Sequence, residues 1–359
     1  MKKEIAIALS GGIDSGYAAY LLKDCGWKVC GFTLKLGIEH FQPRIQEAKD
    51  LCLRLSVPHF LIDAEEEFNK TIVDYFADSY LSGLTPNPCI YCNEKIKFGL
   101  LLHKIKSFGF EYLATGHYAR IVKKGGISFL CCGKDKRKTQ EYFLARLPPE
   151  ILPRLVFPLG DYSKQEVKRS IRSKGLIDAK RSESQDICFI KNQDYPAFIR
   201  QKLTSADRYR GDIRHISGQV LGRHSGIYNY TYGQRSGLGI SWKEPLYVIN
   251  IDPEKKEVIV GEKEFTYRDK FSIDKLNFFI EAANLPRIDK FFGESGKQEF
   301  RVKFRYNSPS YPCRFNPKKD SLLIQLNEKV RGIAPGQLAV LYYKDYVIGS
   351  GIIQNFSNP

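Results

Sequence analysis

Near its start the chain reads Ala8-Leu9-Ser10-Gly11-Gly12-Ile13-Asp14-Ser15. This run follows apolar residues typical of a buried strand (5–9) and precedes a helical pattern over about residues 15–25, which Gly26 ends. Glycines let the main chain bend with φ > 0 and approach an anion, and the first N–H groups of a helix carry partial positive charge. Since the run matches neither GxxxxGK[ST] nor GxGxxG, we predict a different kind of pyrophosphate-binding turn.

The first part of the chain alternates strand-like and helix-like patterns. Strands are predicted at residues 29–34, 59–62 and 112–115, and helices at 45–55, 69–81 and 94–106. This alternation is typical of an α/β fold with a doubly wound parallel sheet. Ligands of such sheets lie outside the carboxyl ends of the strands, so we expect Leu34 and Gly116 near a nucleotide.

The pattern changes in the second part of the chain. Ser163-Lys164-Gln165-Glu166 predicts a capping box at the start of a basic helix that ends at Gly175. Short alternating runs then predict strands at 247–251, 257–260, 300–304, 322–326 and 338–342. The patterns favour a nucleotide-binding catalytic domain over residues 1–204, a small linking domain over 205–268 and a β-barrel or sandwich over 269–359, of which we expect the barrel.

Composition narrows the class of protein. The chain has 359 residues, a formal net charge of +16 and a pI near 9.3, which favour a polyanionic partner. Basic residues concentrate at 134–138 and 164–174 and at Arg208 and Arg210. No apolar run is long enough to span a membrane, and Met1-Lys2-Lys3-Glu4 begins no targeting signal, so we expect a cytoplasmic protein with reduced cysteines.

Three of the nine cysteines lie in polar or proline-bounded segments. Thr85-Pro86-Asn87-Pro88-Cys89-Ile90-Tyr91-Cys92-Asn93 places two of them near a predicted helix N-terminus, which lowers a thiol pKa. Cys188 lies in the polar segment 182–189. The others occur in apolar patterns and are predicted to be small buried hydrophobes: Cys25, Cys30, Cys52, Cys131, Cys132 and Cys313.

These segments together carry a resemblance to a known family. The N-terminal loop resembles the pyrophosphate (PP) loop of the adenine-nucleotide α-hydrolase superfamily. The loops around Cys92 and Cys188, with the runs at 115–120, 140–144 and 230–239, resemble the tRNA-specific 2-thiouridylases of bacteria and organelles, in the same order and over nearly the whole chain.

The resemblance implies ATP-dependent sulfur transfer to C2 of the wobble uridine in tRNAs for lysine, glutamate and glutamine. ATP would adenylate the C2 oxygen, and sulfur carried as a persulfide, supplied by a sulfur-donor protein, would displace AMP. Two thiols are the minimum for that scheme. By motif match, Cys188 would carry the persulfide and Cys92 would be the second nucleophile.

The remaining site residues also follow from the resemblance. ATP would be bound by Ala8, Leu9, Ser10, Gly11, Gly12, Ile13, Asp14, Ser15, Leu34 and Gly116. The target base would face Asn87, Pro88 and Cys89, and the tRNA substrate would also meet His117, Lys138, Thr139, Gln140, Arg305, Tyr306 and Gln337.

Some roles stay open at this point. Asp14 would order the loop or help to hold Mg²⁺, or it would cap the helix. His117 would donate to a phosphate or hydrogen-bond in the core. Arg305 and Tyr306 are predicted to lie on a strand, where contact with RNA is reasonable.

Cys89 departs from the family pattern, because many members carry an aspartate at this position. With Cys92 and Cys188 it supplies three thiols, enough to hold an iron–sulfur cluster with one iron open. Persulfide chemistry and this cluster are therefore alternatives. Two further functions compete, an ATP-dependent ligase for a small molecule and a non-catalytic RNA-binding protein; neither would need both the glycine loop and the paired cysteines.

Overall fold

The computed structural model describes residues 3–38, 41–174, 187–203, 205–280, 288 and 299–356. Its first half contains β1 (Glu4–Ala8), α1 (Ile13–Asp24), β2 (Lys28–Lys35), α2 (Gln42–Arg54), β3 (His59–Asp63), α3 (Glu65–Phe68), α4 (Asp74–Leu81), α5 (Pro88–Tyr91), α6 (Leu101–Ser107), β4 (Leu113–Ala114), β5 (Ala119–Lys124), β6 (Ile127–Cys132), α7 (Glu141–Leu144), β7 (Leu155–Val156), α8 (Lys164–Ser173) and α9 (Tyr195–Lys202). Two π-helical segments, Asn69–Val73 and Cys92–Leu100, join α3 to α4 and α5 to α6.

The predicted parallel sheet is confirmed. Its strand order is β3-β2-β1-β4-β7, and every neighbouring pair is parallel. Side chains of β1 alternate between two apolar cores, because Ile5 and Ile7 pack with the α1 residues Ala18 and Leu22 whereas Ala6 belongs to the core on the opposite face. This two-sided burial explains the continuous apolar run at the start of the sequence.

The capping box of α8 is also confirmed. The Ser163 hydroxyl accepts from the Glu166 N–H, and the Glu166 carboxylate accepts from the Ser163 N–H. The predicted end of this helix at Gly175 lies outside the described residues.

A small sheet follows residues 1–204, the part of the chain predicted to be the catalytic domain and here named the catalytic half. It contains β8 (Gly211–His215), β9 (Val220–His224), β10 (Tyr247–Asp252) and β11 (Glu257–Gly261) in the order β10-β11-β8-β9. Val248, Val258 and Val260 lie in its core.

The predicted C-terminal β-barrel is confirmed. Its strands are β12 (Arg268–Phe278), β13 (Phe300–Lys303), β14 (Tyr311–Pro317), β15 (Leu322–Val330), β16 (Leu338–Tyr343) and β17 (Tyr346–Ile353). They follow the order β12-β15-β14-β13-β16-β17, and pairing of β12 with β17 closes the barrel.

One hairpin of the catalytic half joins the barrel, which the sequence patterns did not indicate. The strands β5 and β6 turn at Gly125-Gly126, both with positive φ, and β6 pairs with β17 where Cys131 meets Tyr346. The Cys132 N–H donates to the Asp345 carbonyl at 3.0 Å. The sheets therefore do not divide cleanly at residue 269, and the domain boundaries stay a prediction.

None of the helices in the described ranges is long and apolar enough to cross a membrane. The cytoplasmic location stays a prediction.

The hydroxyl of Tyr142 links the catalytic half to the barrel. Its side chain is fully buried, and it donates to the Leu338 carbonyl of β16 at 2.8 Å. We expect Tyr142→Phe to lower the free energy of unfolding by about 1 kcal/mol, the net value of one hydrogen bond. Urea unfolding measures this, and Tyr267→Phe at an exposed site is the matched control. Equal unfolding midpoints for the two variants would contradict the prediction.

Candidate active site

The glycine turn between β1 and α1 is held by serine hydroxyls. The Ser15 hydroxyl accepts from the Ser10 N–H at 3.2 Å and donates to the Gly12 carbonyl at 3.1 Å. Gly11 has φ +70°, and a Cβ there would lie 2.3 Å from the Arg44 carbonyl oxygen, so only glycine fits. Gly12 is extended (φ −84°), so the prediction of positive φ was right for Gly11 and wrong for Gly12.

Gly116 closes against this turn from the end of β4. A Cβ on Gly116 would lie 2.6 Å from the Ser15 nitrogen and 2.7 Å from the Asp14 carbonyl carbon. The structure therefore brings Gly116 to the first turn of α1, where the N–H groups of a helix attract anions. The predicted ATP contacts of this region stay predictions, but their residues are adjacent.

Asp14 forms a charged network in place of a helix cap. Its two carboxylate oxygens accept from the Lys164 ammonium at 2.7 and 2.6 Å, and Oδ1 also accepts from the Tyr118 hydroxyl at 2.7 Å. The N-cap of α1 is Gly12, with no side-chain cap, so the capping role considered for Asp14 was wrong. The network orders the loop by tying α1 to α8.

The sequence did not reveal the ion pair of Lys164, which was predicted only as part of a capping box and of a basic cluster. The signal was its position at the start of an amphipathic helix, where its side chain is only 11% exposed. Such a lysine requires a counter-charge, and Asp14 supplies it.

His117 hydrogen-bonds within the core. Its Nδ1 lies 2.7 Å from the Thr115 hydroxyl, and its ring contacts Phe98 and Phe157. Burial, and then the positive charge of Lys97, hold the pKa of His117 well below its usual value, so the ring is neutral at pH 7. This contact supports the core role among the two considered for His117.

The two predicted sulfur-handling cysteines lie on one apolar cluster. Cys92 begins the π-helical segment after α5, and Cys188 follows the part of the loop outside the described residues. Both pack against the cluster of Phe68, Ile72, Val73 and Ile96, and so does Leu34 at the end of β2. The fold thus brings two distant thiol segments to the end of the strand predicted to face the nucleotide.

The thiols are less acidic than expected from their position near a helix N-terminus. Burial raises the pKa of Cys92 to about 11 and that of Cys188 to about 12, and it also raises the pKa of Cys89. Neighbouring thiolates oppose ionisation further at two of the three, since the pKa of Cys92 is raised by Cys89 and that of Cys188 by both Cys92 and Cys89. The predicted lowering of the pKa of Cys89 and Cys92 was therefore wrong, because desolvation outweighs the helix terminus.

Lys97 acts against this desolvation. Its positive charge lowers the pKa of Cys89, Cys92 and Cys188. Lys97 was not singled out from the sequence, where it is one lysine among many.

The remaining cysteines largely fit their prediction. Cys30, Cys52, Cys131 and Cys313 are buried and Cys132 is partly buried, whereas Cys25 is exposed and was wrongly predicted. Within the described ranges, no group of three or more His, Cys, Asp or Glu side chains is arranged to hold a metal ion. That statement covers Cys89, Cys92 and Cys188.

The tRNA-contact segment 138–140 is internally bonded. The Thr139 hydroxyl is buried; it accepts from the Gly133 N–H at 2.7 Å and donates to the Glu141 carboxylate. Gln140 accepts from the Tyr118 N–H at 2.9 Å. Thr139 and Gln140 thus shape the segment, and the contact of 138–140 with tRNA stays a prediction.

Three residues of the barrel region were predicted to contact tRNA: Arg305, Tyr306 and Gln337. Arg305 and Tyr306 are in the turn after β13, so their placement on a strand was wrong. Tyr306 packs on Phe143 with ring centroids 4.5 Å apart. Gln337 donates from Nε2 to the Thr85 carbonyl at 2.9 Å. Thr85 directly precedes residues 86–92, which carry Cys89 and Cys92 and are here named the cysteine loop.

Replacing Lys164 tests the charged network. We expect Lys164→Met to lower the free energy of unfolding by about 1–2 kcal/mol, because Asp14 is 33% exposed and water partly replaces the lost ammonium. ATP binding, measured by titration calorimetry, should weaken as the loop loses its order. Arg169→Met removes the same charge from the exposed face of α8, and an equal effect of both variants would argue against the network.

Replacing Lys97 tests the electrostatics of the thiols. Lys97→Met should raise the pKa of Cys92 and Cys188 further, so fewer thiolates exist at any pH below the pKa. We expect alkylation of both thiols at pH 8 to slow about two- to fivefold, as suits a half-buried, partly screened charge. The control is Lys95→Met, which removes an exposed lysine paired with Glu94. Unchanged alkylation in the Lys97 variant would refute the assignment.

Three family descriptions match the chain in order. They are "tRNA methyl transferase HUP domain" over residues 3–192, "tRNA methyl transferase PRC-barrel domain" over 196–262 and "Aminomethyltransferase beta-barrel domain" over 268–353. A solved structure, of NMN synthetase from Francisella tularensis, is 17% identical and covers 57% of this chain and 80% of that chain. Its TM-score is 0.34, too low to carry a conclusion.

Curated relatives match over nearly their full length. A protein named tRNA-specific 2-thiouridylase MnmA from Syntrophotalea carbinolica is 40% identical over 358 residues, which covers 98% of both chains. Another of that name, from Leptospira interrogans, is 39% identical over 371 residues and covers 99% of this chain and 96% of its own. These matches confirm the resemblance carried by the motifs, and the chain belongs to the tRNA-specific 2-thiouridylase family.

Proposed function

We propose that this protein is an ATP-dependent tRNA-uridine 2-sulfurtransferase that replaces the C2 oxygen of the wobble uridine by sulfur. The observation that carries the proposal is the packing of Cys92 and Cys188 against the same apolar cluster as Leu34. The family descriptions mention methyl transfer, but two adjacent thiols at a nucleotide loop suit sulfur transfer, as in the names of the relatives.

Activation of the base begins at the glycine turn. The N–H groups at the start of α1 hold the phosphates of ATP, and Gly11 allows their close approach. The C2 oxygen of uridine attacks the α-phosphate and diphosphate departs, which leaves AMP bonded to the C2 oxygen. Lys164 keeps Asp14 from repelling the phosphates, because its ammonium contacts both carboxylate oxygens.

Sulfur transfer then uses both thiols. The terminal sulfur of a Cys188 persulfide attacks C2, and AMP leaves with the former C2 oxygen. The Cys92 thiolate attacks the Cys188 sulfur, which breaks the bond to the transferred sulfur and forms a Cys92–Cys188 disulfide. A thiol reductant restores both cysteines, and a sulfur-donor protein reloads Cys188.

Two metal roles considered from the sequence do not fit the side chains. Asp14 is already bonded to Lys164 and Tyr118, so no step of the proposal uses it as an Mg²⁺ ligand. The three thiols form no ligand group among the described residues, so the proposal uses persulfide chemistry in place of an iron–sulfur cluster. Mg²⁺ bound with ATP stays a prediction.

Cys89 can still handle a proton in place of the family's aspartate. Because burial raises its pKa, the thiol is protonated at neutral pH. It can donate a proton near the target base, whereas it supplies no negative charge there.

The role of the persulfide carrier is tested by Cys188→Ser. We expect loss of tRNA thiolation in the presence of ATP and a persulfide donor, with the Kd for tRNA within about twofold of its original value, since a hydroxyl carries no sulfane sulfur. Thiolated tRNA is measured by mercury-gel retardation, and tRNA-dependent AMP release by the unaltered protein tests the function itself. Cys25→Ser, at an exposed cysteine, is the control. Retained thiolation in the Cys188 variant would overturn its role.

A further inference from the structure

The segment that leads into the cysteine loop lies between two other parts of the molecule. A Cβ on Gly83 would come within 3.1 Å of Ile251 in β10 of the small sheet. On the other side, the Thr85 N–H donates to the Pro335 carbonyl at 2.8 Å. A Cβ on Gly336 would lie 2.9 Å from the Thr85 nitrogen, so the two backbones are in close contact.

Gln337 completes this contact with its side chain. Its Nε2 donates to the Thr85 carbonyl at 2.9 Å and lies 3.5 Å from the Pro86 carbonyl. The Thr85 hydroxyl is buried and finds no hydrogen-bond partner among the described residues. The side chain of Thr85 therefore makes no hydrogen bond that fixes this segment, and the barrel instead holds the main-chain groups of Thr85 and Pro86.

The barrel side of the contact is itself anchored. The Gly336 N–H donates to the Ile353 carbonyl at 2.9 Å, and the Ile353 N–H donates to the Gln337 carbonyl at 2.9 Å. Both bonds tie the turn to the end of β17, a strand whose residues are largely buried. Gln337 thus projects from a fixed support.

The backbone that connects Thr85 to Cys89 and Cys92 is short and conformationally restricted. Pro86 and Pro88 restrict the backbone between Thr85 and α5, because each fixes φ and restricts the residue before it. Cys89 follows Pro88 directly, and Cys92 follows the single turn of α5. A displacement at Thr85 therefore shifts both thiols.

We propose that Gln337 is a positioning residue that holds the cysteine loop in place, in contrast to the direct tRNA contact expected from the family resemblance. This inference rests on the proposed function for its effect on catalysis. Its structural part, control of the loop, stands on the hydrogen bonds alone.

The test replaces Gln337 by methionine, which keeps the length of the side chain and removes the amide donor. In tRNA-free protein, Gln337→Met should speed the alkylation of Cys89 and Cys92 by iodoacetamide about two- to tenfold, the factor for loss of one hydrogen bond that opposes local opening. The tRNA-dependent release of AMP, with a persulfide donor as the sulfur source, should show a lower kcat at unchanged KM for tRNA. The Kd for tRNA should stay within about twofold.

Two companion variants sharpen the test. Gly336→Ala should also speed alkylation, because its Cβ would push against the Thr85 backbone at a residue with φ +86°. Gln354→Met removes a glutamine that reaches Asp274 at 3.4 Å on the same barrel, and it should leave alkylation unchanged. Thermal unfolding confirms that each variant is folded.

A different result would show that Gln337 contacts tRNA and does not position the cysteine loop. A Kd for tRNA weakened tenfold or more, with unchanged alkylation of Cys89 and Cys92, would overturn the proposal and make Gln337 a tRNA contact. If the unaltered protein releases no AMP with tRNA, the proposed function fails, but the alkylation rates still decide whether Gln337 holds the loop.

Discussion

The contact of two thiol segments with one apolar cluster is the constraint on which this site depends. Cys92 and Cys188 share this cluster because the π-helical segment, which supplies Ile96, and the loop before α9 both pack with Phe68 and Ile72. The same packing removes the water that would stabilise a thiolate, so both thiols are protonated at neutral pH. The packing that places both cysteines on one cluster therefore also makes their thiols less reactive, and the charge of Lys97 partly counteracts this effect.

At the glycine turn, in contrast to the thiols, a buried charge has a direct partner of opposite sign. There a buried lysine and a carboxylate neutralise each other across two helices, with the Tyr118 hydroxyl as a third partner. A lysine beside the N-terminus of α1 and a carboxylate paired with it are compatible with an anionic ligand at this turn. A nearby positive charge makes the thiols easier to ionise, whereas at Asp14 it neutralises a carboxylate that would repel an anion.

Local patterns predicted the secondary structure well. Strand β1, the glycine turn, the capping box at Ser163 and three of the six barrel strands, β13, β15 and β16, follow from periodicity and from residues with special backbone preferences. Strands β12, β14 and β17 were not predicted. The features that were predicted depend on residues that are close together in the sequence, so a single sequence is enough to predict them. Positive φ at Gly12 was a wrong prediction because Gly11 alone makes the bend.

Features that depend on distant partners could not be predicted in this way. The pairing of Lys164 with Asp14 and of Gln337 with Thr85 requires the tertiary fold, as does the addition of β6 to the barrel. The pKa of the cysteines was misjudged for the same reason, since burial is set by the whole structure whereas a helix terminus is visible locally. Family resemblance supplied candidate residues, but the structure assigned Gln337 and Thr139 partners within the chain.

The shared hairpin has a consequence for how members of this family can be recombined. Strand β6 pairs with the edge of β17, and Lys136 and Arg120 both form ion pairs with Asp345 in the turn that precedes β17. A barrel cut off at residue 268 would lose this neighbour, and the catalytic half would present an open strand edge prone to aggregation. A chimaera that exchanges the barrel between two relatives should therefore carry the hairpin at residues 119–132 with it, although that hairpin lies far upstream in the gene.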